Sequence, residues 1–65
     1  MSYMVEKVSL GERLSNQKEF EEFGEAEIHA RNAVLSNGWC AAKIYEWEQE
    51  QGFWTLVHQF RRVWL

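Results

Sequence analysis

From Tyr3 to Leu10 the chain reads YMVEKVSL, with Met4, Glu6, Val8 and Leu10 on one side of an extended backbone and Tyr3 and Val5 on the other. This near-alternation predicts a strand, and Gly11 to Ser15 reads as a connector. The period then changes. At helical spacing Phe20, Phe23, Ala26, Ala30, Ala33 and Val34 form one stripe, with Glu22, Glu25, His29 and Asn32 assigned to the opposite, polar side. Asn16 followed by Glu19 has the spacing of a capping box, with Ser15 as an alternative cap, and Asn37-Gly38 supplies a left-handed stop. The acidic run Glu19, Glu21, Glu22, Glu25 and Glu27 precedes Arg31, the order that the helix dipole favours. Together these signals predict a helix from Gln17 to Ser36, with Ile28 and Leu35 extending its apolar arc to one flank.

From Trp39 onward the period is two, and WCAAKIYEWEQEQGFWTLVHQFRRVW reads as a long hairpin that turns at Gln49 to Gly52. A three-residue loop of Glu50, Gln51 and Gly52, with the glycine left-handed, sets Glu46 opposite Leu56, Ile44 opposite His58 and Ala42 opposite Phe60. One face then carries Cys40, Ala42, Ile44, Leu56 and Phe60, small enough on one strand for a helix to sit close. The other carries Trp39, Tyr45, Trp47, Phe53, Val57 and Val63, with Lys43 and Arg61 among them. A loop longer by one residue exchanges the faces, because a one-residue slip inverts a strand. The expected fold is a small single α+β domain over residues 1–65, in the order β-α-β-β, with one helix packed on an antiparallel three-stranded sheet.

Length sharpens this picture. A chain of 65 residues buries only about 60% of its unfolded surface and needs support beyond its own core. Cys40 is the only cysteine, which excludes an internal disulfide, and Cys40, His29 and His58 are too dispersed for a zinc site. A partner chain is the remaining source of support.

Charge narrows the choice of partner. Seven Lys+Arg against ten Asp+Glu, all of them Glu, give a net charge of −3, the wrong sign for wrapping a long stretch of phosphate. No run of residues has the roughly 18 to 20 apolar positions of a membrane span, and residues 1–10 lack the features of a secretory signal. A cytoplasmic location is expected, host cytoplasm if the chain is phage-encoded, with no membrane partner.

One helix covers one side of a sheet, so the aromatic residues of the other side form an apolar surface of the kind that marks an interface. Trp39, Tyr45, Trp47, Phe53, Val57 and Arg61 are the expected partner-binding or dimer residues. A second candidate is the acidic helix face of Glu22, Glu25 and His29. His29 and Glu25 have the i, i+4 spacing of two metal ligands, but as solvated helix residues they form no metal site. His58 has one carboxylate within reach, Glu46, too little for a general base, so no catalytic residue, metal or cofactor is assigned. Arg61 and Arg62 alternate across the last strand as edge charges, and Trp64-Leu65 ends the chain on apolar residues.

The β-α-β-β order resembles that of very small phage-encoded inhibitors of host enzymes. A helix followed by strands also resembles the toxin ribonucleases of toxin-antitoxin pairs, which are typically basic and carry a Gly-Ser-His segment that this chain lacks. Both are resemblances of element order and carry no motif. The sequence therefore leads to a non-catalytic protein-protein interaction module: a homodimeric accessory or inhibitory factor that binds itself and a second, unidentified protein. The alternative is a small nucleic-acid-binding protein or ribonuclease that uses His58, Arg61, Lys43 and the aromatic face. It requires salt-sensitive binding of short RNA or DNA.

Overall fold

Val5 and Ile44 are paired across neighbouring strands, and both are fully buried, as is Ala42. They identify the face on which the helix lies. A computed structural model describes residues 2–8, 15–36 and 38–61. Four strands, β1 (Tyr3–Val8), β2 (Ser15–Phe20), β3 (Ala41–Glu48) and β4 (Phe53–Arg61), form one antiparallel sheet in the order β2-β1-β3-β4. One helix, α1 (Phe23–Ser36), packs on it mainly over β1 and β3. Along the chain the order is β-β-α-β-β.

This corrects the expected three strands and β-α-β-β order, and the resemblance to small phage-encoded inhibitors, drawn from that order, loses its basis. The difference lies at Ser15–Phe20. Gln17, Lys18 and Glu19 favour a helix locally, but here they pair residue for residue with β1, from Tyr3 opposite Phe20 to Val8 opposite Ser15. The pairing satisfies backbone groups that β1 would otherwise leave open on its outer side. Phe20 packs against the core beside Tyr3. Asn16 and Glu19 therefore lie in a strand, not in a capping box.

The helix begins six residues later than expected. Glu21 and Glu22 form the bend, and the Ala26 N–H donates to the Glu22 carbonyl at 3.2 Å. Ala26, Ala30, Ala33 and Val34 are its buried stripe, and three alanines let the helix approach the sheet closely. At its far end Gly38 has φ 78°, and the Trp39 N–H returns to the Ala33 carbonyl at 3.1 Å. Asn37 lies outside the described residues, as do Ser9 and Leu10 of the expected first strand, most of the Gly11–Ser15 connector, and Arg62, Val63, Trp64 and Leu65.

The hairpin forms as expected but with a longer loop. Glu48 pairs with Phe53, so Gln49 to Gly52 make a four-residue loop, in which the Gly52 N–H donates to the Glu48 carbonyl at 2.7 Å and Gly52 has φ 71°. Beyond the loop Trp47 opposes Trp54, Glu46 opposes Thr55 and Tyr45 opposes Leu56. A bulge then leaves Val57 over, and Ile44–His58 and Ala42–Phe60 pair as expected. The extra loop residue and the bulge cancel beyond Val57. Between them the faces of β4 are exchanged, which moves Leu56 off the helix side and Phe53 onto it.

Among the described residues, the large side chains that are fully buried are Val5 and Ile44. Burying each is worth about 1.5–3 kcal/mol. For a chain of this length, the core formed by the described residues is small.

Candidate functional site: the open sheet face

Residues directly opposite in a sheet share a face, so the buried pair Val5–Ile44 assigns every other pair. Tyr3, Lys7, Lys18, Phe20, Ala42, Glu46, His58 and Phe60 lie on the helix side. Met4, Glu6 and Val8 of β1, Gln17 and Glu19 of β2, Lys43, Tyr45 and Trp47 of β3, and Trp54, Leu56, Gln59 and Arg61 of β4 lie on the other. Among the described residues no element covers this second face, and none of its residues is fully buried.

The face has an apolar end and a polar middle. At the apolar end Trp47 and Trp54 meet edge to face, with ring centroids 5.2 Å apart at 62°. With Ser2 and Glu19 they line a shallow groove. The next row across the four strands is Glu19, Met4, Tyr45 and Leu56, the last of these 48% exposed. The row after it is Gln17, Glu6, Lys43 and Gln59. The Gln17 side-chain amide donates to the Glu6 carboxylate at 3.2 Å, and the Tyr45 hydroxyl donates to the same carboxylate from the neighbouring row. Partial burial, the Glu6 charge and that hydrogen bond raise Tyr45 above the usual phenol value. The face is thus internally organised around Glu6.

Of the residues expected on this surface, the fold places Tyr45, Trp47 and Arg61 there together. Trp39 lies before β3, near the helix end, with the Lys7 ammonium 5.4 Å from its ring centroid and Lys7 itself on the helix side. Phe53 belongs to the helix side, 46% exposed opposite Glu48, and Val57 is the bulge residue. Trp54, Leu56, Met4 and Glu6 enter the surface unanticipated. Exchanging the β4 faces near the loop, the consequence noted for one added loop residue, would have found Trp54 and Leu56.

The acidic helix face divides. Glu22 and Glu25 are exposed, whereas His29, three residues past Ala26 and four before Ala33, stands at the edge of the buried stripe. This corrects its assignment to the polar side. Its ring packs on Phe20 with centroids 5.1 Å apart, and its Nε2 is buried without a hydrogen-bond partner. Burial first, then the charges of Lys7 and Lys18, hold it below the usual imidazole value.

Elsewhere the polar and aromatic groups pair within the fold. The Tyr3 hydroxyl donates to Glu46 and is raised by burial and by that carboxylate, while its ring meets Phe23 at 5.6 Å. His58 packs edge to face on Phe60 at 4.7 Å. Cys40 is half-buried, and its backbone N–H donates to the Val8 carbonyl at 3.0 Å. Among the described residues no three His, Cys, Asp or Glu side chains come together to hold a metal ion, and no helix is long and apolar enough to cross a membrane.

No protein-family model, no curated protein and no solved structure matches the chain.

Proposed function

We propose that the chain is a non-catalytic interaction module that self-associates through the open sheet face and serves as an accessory or inhibitory factor by binding another protein. The observation that carries this reading is the second sheet face. It presents Met4, Tyr45, Trp47, Trp54 and Leu56 side by side, opposite a helix-facing core with few large buried side chains among the described residues. An aromatic surface of this kind is the usual centre of a protein interface. Covering it would supply the burial that so small a core leaves wanting. Self-association on this side leaves the exposed Glu22, in the bend before the helix, Glu25, on the helix, and the sheet edges for a second protein.

Sedimentation equilibrium across a concentration series tests the reading. Wild type forms dimers and Trp47→Glu is a folded monomer, whereas Leu35→Glu, on the exposed flank of the helix, remains a dimer. A wild-type chain that stays monomeric and folded throughout the series overturns self-association, as does a dimer that Leu35→Glu dissociates and Trp47→Glu does not.

A further inference from the structure

Resting on the reading that the open face self-associates, we infer that two copies stack face to face about a two-fold axis parallel to the strands, along the β1–β3 seam, with Glu6 of each copy over Lys43 of the other. The layout of charge on the face carries this. Glu6 and Lys43 are opposite each other on the two central strands, with Gln17 outside one and Gln59 outside the other. The row reads polar, negative, positive, polar. Rotating it about the seam reverses its order, so Glu6 faces Lys43, Lys43 faces Glu6, and each glutamine faces a glutamine.

The adjoining rows obey the same operation. Met4 falls over the second copy's Tyr45 and Val8 over its Ala41, apolar on apolar, while on the outer strands Glu19 falls over its Leu56 at the solvated rim. The other two-fold axis in the plane, perpendicular to the strands, lays each strand over its own copy. With that axis between the two rows, Glu6 meets Met4 and Lys43 meets Tyr45, so the second copy offers neither charge an opposite charge, which is unfavourable once the face is covered. Isologous contact requires a surface complementary to itself, and the axis along the strands gives this face that property.

Size and geometry are compatible with the stack. Four strands and about six residues along each make a face of roughly 19 by 20 Å, and aligned sheets pack about 10 Å apart at about −30°. The accessible area exceeds that projection because of side-chain relief, and it lies at the low end of specific interfaces. Apolar contact supplies the affinity. The paired charges at the centre select the orientation more than they add to affinity.

The test uses charge reversal and mixing. In a dimer of Glu6→Lys chains a lysine lies over Lys43 twice, and in a dimer of Lys43→Glu chains a glutamate lies over Glu6 twice, so each variant alone dimerises at least about tenfold more weakly. Mixed one to one, the two variants restore both opposite-charge contacts and form a heterodimer within about tenfold of wild type. Circular dichroism checks that each chain is folded. If Glu6→Lys does not fold, Gln17→Lys with Gln59→Glu in one chain adds two opposite-charge pairs at the rim. This tightens the dimer severalfold, while Gln17→Lys with Gln59→Lys weakens it. A mixture no tighter than its components, or rim variants that do not differ, overturns the stack while a wild-type dimer sensitive to Trp47→Glu leaves the parent reading standing. A wild-type monomer overturns both.

Discussion

Trp47 and Trp54 stand directly opposite each other on β3 and β4, in edge-to-face contact at 5.2 Å, on the side of the sheet that the helix leaves open. The contact depends on the four-residue loop, because a three-residue loop would have set Trp54 on the helix side. Edge-to-face pairing orients both rings and holds them where a partner would meet them. A double-mutant cycle with Trp47→Ala and Trp54→Ala, in urea at fixed chain concentration, is expected to give a coupling of about 0.5–1.5 kcal/mol. A coupling of zero would show that the rings do not act as a pair.

Among the described residues, Ile44 is one of two large side chains buried completely. Ile44→Ala removes about 2–5 kcal/mol, against about 3–10 kcal/mol for a domain of this length. Loss of the cooperative thermal transition, or a large fall in its midpoint, is the expected result. An unchanged melting curve would mean that the core lies elsewhere.

His29 gives stability a dependence on acid. Its folded value is depressed by burial, Lys7 and Lys18, so the unfolded chain takes up a proton before the folded one does. The stability this neutral ring contributes is present above its ordinary value of about 6.5 and is lost as pH falls through the lower folded value. Urea midpoints measured from pH 7.5 downward should fall more steeply for wild type than for His29→Gln. Parallel curves would contradict the placement of the ring against Phe20.

Tyr45 titrates in the opposite sense. Its folded value is raised by burial and by Glu6, so the stability held by its neutral hydroxyl is present below about 10 and is lost as pH rises through the folded value. Ultraviolet titration should show a tyrosine with a midpoint above the ordinary phenol, and Glu6→Gln should bring it down. No response to Glu6→Gln would sink the hydrogen-bonded arrangement at the centre of the face.

Gly52 has φ 71° with open space where a Cβ would stand, so Gly52→Ala meets only the backbone penalty, about 1–2 kcal/mol. Gly52→Asn should recover part of it, since asparagine tolerates the left-handed region. Equal stability of all three chains, by urea denaturation, would argue that the loop adopts another conformation.

The hairpin was legible because β3 alternates cleanly and Gly52 marks the turn, and the pairs Ala42–Phe60 and Ile44–His58 follow from those two facts. The middle of the hairpin was not, because a loop residue and the Val57 bulge offset one another, and neither leaves a local signal. β2 was hidden for a different reason. It is a polar edge strand in which Phe20 joins the core cluster, and its Gln, Lys and Glu residues favour a helix until β1 is present to pair with them. On the candidate surface, Tyr45, Trp47 and Arg61 could be read from alternation. Trp54 and Leu56 depended on the loop, and Glu6 gains its place only through neighbours on two other strands.

An isotope-filtered NOE experiment on a dimer of half-labelled chains tests the central claim most directly. Cross-peaks between the Met4 methyl of one copy and the Tyr45 ring of the other, with none from Ile28 or Leu35, are the predicted result. Intermolecular cross-peaks from Ile28 and Leu35 instead, or none at any concentration, would contradict the open sheet face as the surface on which this protein meets itself.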